Sequence, residues 1–382
     1  MLQTRKPLVS TTAPMPALSA LLAPHGAAGL DDATLSVPWR KPGDRAVFLG
    51  RASWALRAIA EGHALTDQKP PRLWVPDYFC DSALTALRNA PAEIIFYPVT
   101  ESFEPDWAAC ASLAAEVPPK LFLQVHYFGW ARDLRPAREF CNSHRAKLIE
   151  DAAHALIPSA AIGGYGDYTV WSLYKHLPSP DGGLLVVRDS GKAGSEVLRV
   201  ASTFASRQAA SPTLWRLRRL AQALCPRLAG HLRPQFLPFD ADPSAGSVPA
   251  SAISDFARRL ISMGLQDLSA IALARHMNER ALREALRNCS GLRPAFVEPA
   301  PDQPPYRAVF CAESAATARR WYERIVASGN VAETWPDLPA EVRATPHRHS
   351  VALHLRATYL CLPIHADRTA HDLASAYGAA CA

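Results

Sequence analysis

Short apolar blocks alternate with helical stretches through the first half of the chain. Ala46 to Leu49 is the first strand-like block; it runs into Gly50-Arg51-Ala52-Ser53, and Trp54, Leu56 and Ile59 then keep helical spacing. Leu73 to Pro76 reads as a second strand, Asp77 to Asn89 as the next helix and Glu93 to Val99 as the strand after it. Leu121 to His126 is a further strand, and a helix from Arg135 to Arg145 leads into Ala146 to Ile149. Tyr168 to Leu173 and Leu184 to Val187 complete the set. Strands alternating with helices predict an α/β fold whose mostly parallel sheet is covered on both faces. Ligands of such sheets gather at the carboxyl ends of the strands, where Gly50, Asp151 and Lys175 fall.

The flanking segments differ. Met1 to about Lys41 is rich in Ala, Pro and Leu without a sustained period and reads as an arm lying on the body or on a partner subunit. From Ser195 to about Ser251, Leu217, Leu220, Ala221, Leu224 and Leu228 keep helical spacing among Arg216, Arg218, Arg219 and Arg227. Such a basic amphipathic helix in the stretch Arg207–Pro234 can lie on an anionic membrane, although capping the body is the plainer use. Pro234 to Pro249 is a connector. A long helical stretch, Ile253 to Leu286, interrupted near Gly264, then links to a small α+β unit starting near Gly291. Strands at Ala308 to Phe310 and Tyr359 to Leu362, with a helix from Ala315 to Ser328, are expected there. The division is residues 1–250 for a large domain and 251–382 for the linker and small domain.

With 382 residues, 49% hydrophobic and 20% charged, the chain has the make-up of a two-domain globular enzyme rather than a disordered segment. The net charge of +6 is mild and scattered. It allows an anionic substrate and does not call for nucleic acid. None of the eight cysteines forms a CxxC pair, so buried free thiols in a reducing compartment are expected rather than a disulfide or zinc framework. No apolar run nears the ~20 residues that cross a bilayer. Pro7, Pro14 and Pro16 spoil the amino terminus as a signal peptide. A cytoplasmic location is expected.

Candidate chemistry concentrates between Leu148 and Val187. Glu150-Asp151 ends one strand, His154 follows, and Gly163-Gly164-Tyr165-Gly166-Asp167 turns the chain into a strand that leads to Lys175. Pro178-Ser179-Pro180-Asp181-Gly182-Gly183 returns it to another. An acid and a lysine at neighbouring strand ends, with glycines holding the backbone close, suit pyridoxal phosphate. Its aldehyde takes a lysine, and its ring nitrogen takes a carboxylate. The glycine turn at Gly50 opens a helix whose free N–H groups form a natural phosphate seat.

These words resemble the DegT/DnrJ/StrS family of pyridoxal-phosphate aminotransferases, most of which act on nucleotide-linked keto-sugars. QVHYFGWARDL (Gln124 to Leu134), LIEDAAHA (Leu148 to Ala155) and GGYGDYTVWSLYK running on into DGG (Gly163 to Gly183) carry the likeness. LGRASWAL, VPDYFCDSAL and the closing LCLPIH match more loosely. The resemblance implies fold type I: a large domain on a mostly parallel sheet, a small α+β carboxyl-terminal domain, and a homodimer. It assigns Lys175 to covalent attachment of the cofactor and to proton transfer, and Asp151 to the pyridine nitrogen. His154 falls to the phenolic oxygen, and Ser172 with the helix start at Arg51 and Ala52 to the phosphate.

The chain departs from the family pattern in four places. Ser172 lies three residues before the lysine where the family serine lies five before. The ring-stacking position falls on Cys80, which leaves Tyr78 or Phe79 to take that part. The basic stretch from Arg207 is longer than the family's. The sugar-side motif of the small domain is unclear, and His347-Arg348-His349 replaces neither it nor a metal site. The resemblance implies transamination from an amino-acid donor such as glutamate to a keto-sugar, in surface polysaccharide or related biosynthesis. A sugar dehydratase is the alternative reaction, weakened by the lysine at 175, and a non-catalytic binding or regulatory protein is the alternative class.

Overall fold

Seven strands come together in one sheet in the computed structural model, which describes residues 11–23, 31–225, 239 and 248–381. They are β1 (Arg45–Leu49), β2 (Arg72–Pro76), β3 (Glu93–Tyr97), β4 (Leu121–Val125), β5 (Lys147–Asp151), β6 (Tyr168–Ser172) and β7 (Gly183–Val187). Their spatial order is β1-β7-β6-β5-β4-β2-β3. All neighbouring pairs from β6 to β3 are parallel, and β7 alone runs antiparallel, to both β1 and β6. β4, β6 and β7 are buried along their whole length, as the continuous apolar runs of a sheet covered on both faces require.

The reversal at β7 decides where the site lies. Gly183 starts β7 and sits opposite both Leu49, the last residue of β1, and Ser172, the last of β6. The carboxyl ends of β1, β5 and β6 therefore share one edge. The chain leaves β1 through Gly50-Arg51 into the Ala52–Asp67 helix, and leaves β6 through a single 3-10 turn, Leu173–Lys175.

The expected helix from Asp77 to Asn89 is mostly absent. Only Asp81–Leu84 is α-helical, followed by one 3-10 turn, Leu87–Asn89. Asp77 is drawn into other bonds: its N–H donates to the Tyr97 carbonyl at 2.8 Å, and its carboxylate accepts from the Val99 N–H at 3.1 Å. Its other oxygen lies 2.9 Å from His349 Nδ1, so this member of the His347–His349 trio is a hydrogen-bond partner in the core. Two helices unmarked by the periodicity are present, Trp107–Glu116 and Lys192–Ala205. Asp106 caps the first by accepting from the Ala109 N–H.

The long helical stretch breaks where glycine predicts, into Asp255–Gly264 and Leu268–Ala285 around a 3-10 turn. A second, antiparallel sheet follows in the order β10-β11-β9-β8, from β8 (Leu292–Pro294), β9 (Arg307–Ala312), β10 (Glu333–Thr334) and β11 (Tyr359–Pro363). It has its own core around Leu282, Phe310, Trp321 and Leu360.

The described part of the amino-terminal arm lies on the body. Arg307 donates to the Thr12 carbonyl at 2.9 Å, and Ala20 and Leu21 pack against Phe256 and Leu260. The basic Thr213–Leu224 helix sits over this arm through Trp215 and Leu220, and Arg216 bonds the Leu21 and Ala23 carbonyls. Its Leu214, Leu217 and Leu224 stay exposed. Arg227, Leu228 and all of the connector except Phe239, Val248 and Pro249 lie outside the described residues.

Cysteine usage departs from expectation at one pair. Cys289 and Cys381 form a disulfide that ties the turn after the final helix to the segment before β8, their Cα atoms 5.5 Å apart. The sequence gives no hint of it, because 92 residues separate the two and only packing of the final helix brings them together. Cys80, Cys110, Cys141, Cys225, Cys311 and Cys361 are free.

Candidate active site

Asp151 ends β5 and is 6% exposed. One carboxylate oxygen accepts from the Ala153 N–H at 2.8 Å, and the other has no partner among the described residues. Burial is the main influence and pushes its pKa up, while the Ala153 N–H and then the Lys175 charge pull it down. Lys175 closes the turn after β6; it is half-buried and has no ion pair among the described residues. Acid and amine thus sense one another from neighbouring strand ends.

His154 is buried between rings. It lies parallel to Phe128, with centroids 5.8 Å apart, and to Tyr306, at 5.0 Å. Its Nδ1 accepts from the Phe128 N–H at 3.1 Å, which leaves the proton on Nε2. Burial, followed by the Lys175 and Arg307 charges, holds its pKa well below the usual value, so the ring is a neutral donor at physiological pH.

The helix start beside Gly183 forms the third part. Arg51 is the N-cap in an extended conformation and makes no side-chain cap, and no protein acceptor meets the N–H of Ala52 or Ser53 among the described residues. Bare N–H groups at the positive end of a 16-residue helix suit an anion. The close approach depends on glycine, since a Cβ at Gly183 would sit 2.6 Å from the Ala52 nitrogen. The Arg51 guanidinium stacks on Tyr174 at 4.3 Å and donates to the Gly50 carbonyl at 3.1 Å. Ser172 is buried across from Gly183, and its hydroxyl has no protein partner among the described residues.

Tyr78 and Phe79 are placed otherwise. Tyr78 is fully buried and stacks on Trp335 at 4.5 Å, with Phe103 and Tyr127 around it. Phe79 belongs to the same core. Cys80 is the residue of this loop whose thiol senses the Lys175 charge, although burial is the main influence and pushes its pKa up. Sequence reasoning missed Tyr306, whose ring lies 5.8 Å from Lys175 Nζ. It precedes β9 in a Pro-Pro-Tyr run that signals only a turn.

A buried network supports the acid. Glu150, one residue before Asp151, accepts from the N–H groups of Gly163, Tyr165 and Gly166 and from His126. The glycine-rich turn is thereby tied beneath β5.

Pyridoxal phosphate fits these residues: an amine without an ion-pair partner, an acid with one free oxygen, a neutral donor, and bare amides beside an unbonded hydroxyl. Lys175 would hold its aldehyde carbon, Asp151 its ring nitrogen, His154 its phenolic oxygen, and the amides of Ala52 and Ser53 with Ser172 its phosphate.

Comparison with known proteins bears on the fold and on one segment of the chain. Residues 82–215 match the model of the DegT/DnrJ/EryC1/StrS aminotransferase family. Over 72 residues the chain is 33% identical to GDP-perosamine synthase of Vibrio cholerae; the match covers 18% of this chain and spans 20% of that relative. Among solved structures, Helicobacter pylori PseC, an aminotransferase involved in the biosynthesis of pseudoaminic acid, superposes with a TM-score of 0.69 at 13% identity, covering 97% of this chain and 99% of that one. The putative sugar aminotransferase Spr1654 of Streptococcus pneumoniae, in its PMP form, does so with a TM-score of 0.68 at 14% identity, covering 97% and 98%. These structures share the PLP-dependent fold type I. Residues 82–215 thus resemble the DegT/DnrJ/EryC1/StrS aminotransferase family, and the chain as a whole has the fold of these solved aminotransferases.

Proposed function

We propose that the protein is a pyridoxal-phosphate-dependent aminotransferase that moves an amino group from an amino acid, glutamate first among donors, to a keto-sugar, most simply a nucleotide-linked one. The observation that carries this reading is the meeting of Lys175, Asp151 and the bare helix start at Ala52 on one sheet edge. When bound, the cofactor supplies an electron sink for the substrate carbon that loses its proton. Lys175 Nζ would hold the cofactor aldehyde and, as a free amine, would serve as the general acid–base for that proton. The Asp151 carboxylate keeps the ring nitrogen protonated. His154 Nε2–H would donate to the cofactor's ring oxygen, its plane held by the stack on Phe128 and Tyr306.

The same reading assigns residues 1–250 to a large cofactor-binding domain and 251–382 to the linker and a small domain. It also assigns a homodimer, a cytoplasmic site of action, and a place in surface polysaccharide or related biosynthesis. No helix among the described residues is long and apolar enough to cross a membrane.

Reconstitution tests the reading. Protein loaded with pyridoxal phosphate is expected to show a visible absorbance band that Lys175→Ala loses and glutamate bleaches. Wild type that forms no band overturns the reading. A band indifferent to every amino donor would favour a binding protein on the same scaffold, the reading that Cys80 at the ring-facing loop supports. Keto-sugars offered to the bleached form then identify the acceptor.

A further inference from the structure

The aromatic ring beside Lys175 comes from the second sheet. Tyr306 lies just before β9, and its ring is parallel to His154 at an interplanar angle of 11° and a centroid distance of 5.0 Å. The Arg307 guanidinium stands 4.0 Å from the ring centroid, and Arg307 is tied to Glu333 at 2.6 Å. His176 is tilted against the same ring at 5.3 Å, and Lys175 Nζ lies 5.8 Å from its centre.

The backbone of Tyr306 is fastened as firmly as its ring. Its N–H donates to the Phe128 carbonyl at 2.7 Å. Its carbonyl accepts from Arg275 at 3.0 Å and from Arg307 at 3.2 Å, and the Pro305 carbonyl accepts from Arg275 at 3.3 Å. Arg275 is an expensive clamp. It is 0% exposed, its Nε and Nη2 have no partner among the described residues, and burial followed by Arg307 pushes its pKa down to about 9. A buried guanidinium without a carboxylate destabilises a fold. Holding the loop that carries Tyr306 is the use its bonds support.

We propose that Tyr306 is a positioning residue of the cofactor site: it fixes the plane of His154 and walls the space beside Lys175, so that cofactor binding depends on its ring and on the Arg275 clamp. The inference rests on the function proposed above and deepens it. It makes the site a joint product of the two sheets, because a residue outside the large sheet supplies the wall that Tyr78 and Phe79, turned into the core, do not.

The test is titration of apoprotein with pyridoxal phosphate, read by absorbance and by tryptophan fluorescence, with circular dichroism reporting the fold. Tyr306→Leu is expected to weaken binding about five- to tenfold and to move the absorbance maximum. Tyr306→Phe, which keeps the ring, restores most of the affinity. Arg275→Met, which frees the loop and leaves the ring, weakens binding in the same direction. Should Tyr306→Leu fail to fold, Tyr306→Met carries the same expectation. A folded Tyr306→Leu or Tyr306→Met protein with wild-type affinity and spectrum overturns this inference and leaves the proposed function standing. Absence of a band in wild type overturns both.

Discussion

Glu150 Oε1 lies 3.0 Å from His126 Nε2, and both side chains are fully buried. The His126 Nδ1 accepts from the Arg132 N–H at 2.9 Å, so Nε2 carries the proton and donates to the acid. Burial works to raise the Glu150 pKa, but His126 and the N–H groups of Gly166 and Gly163 outweigh it and hold the carboxyl at about 2. Between its ordinary value of 4.5 and about 2, the unfolded chain takes up a proton that the folded chain lacks. The stability this carboxylate contributes is therefore complete above about pH 4.5 and falls as pH drops through that window. Glu150→Gln is expected to lose about 1–3 kcal/mol at pH 7, and the gap from wild type should narrow toward pH 3. Urea unfolding at both pH values checks it.

Space rather than charge governs Gly183. An added methyl would collide with the Arg51 carbonyl carbon and the Ala52 nitrogen, both backbone and unable to swing aside. Gly183→Ala should push the helix start away from β7 and weaken pyridoxal phosphate binding by about tenfold or more, an effect of roughly 1.4 kcal/mol. Equilibrium titration of the apoprotein decides, and unchanged affinity would remove the Ala52 amides from the phosphate seat.

Asp151→Asn keeps the shape of the side chain and removes its charge. The visible band should persist, while bleaching by glutamate in a single turnover slows about a hundredfold, the scale on which a preorganised electrostatic partner acts. Stopped-flow absorbance reads this directly, and Asp151→Glu should recover part of the rate. A full-speed asparagine variant would mean that another group protonates the ring.

Buried histidines, His63, His154 and His176 among them, are expected to make the apoprotein sensitive to acid. Burial lowers the His63 pKa to about 4, and those of His154 and His176 well below the ordinary 6.5. Below pH 6.5 the unfolded chain protonates at these sites and the folded chain does not, so stability falls as pH drops from 7 toward 5. His63 donates through Nε2 to the Tyr168 hydroxyl at 2.9 Å, and that hydroxyl donates to Asp189, also at 2.9 Å. His63→Phe should reduce the slope of stability against pH by about one proton in this range. Chemical denaturation at half-unit pH steps measures that slope.

Much of the large sheet was legible in the chain. Its strands fall within one or two residues of the apolar blocks at Ala46, Leu73, Leu121, Tyr168 and Leu184, because a strand buried on both faces needs an unbroken apolar run. The break at Gly264 was legible for an equally local reason. Asp77 to Cys80 misled: four residues that could begin a helix are pulled straight by bonds to Tyr97, Val99 and His349, and nothing nearby in sequence announces those partners.

Local order also brings the proposed chemical groups together. Asp151, His154, Ser172 and Lys175 lie within 25 positions of one another, spaced by two strands and a glycine turn, so their meeting needs only that those strands pair. The tertiary structure alone decided what surrounds them. Tyr306, held by Arg275, reaches Lys175 and His154 from more than 100 positions away, and Cys381 finds Cys289 only when the last helix packs. Contacts of that range arise from burying two separate cores against each other, and a linear pattern records which faces are apolar without recording which face each one meets.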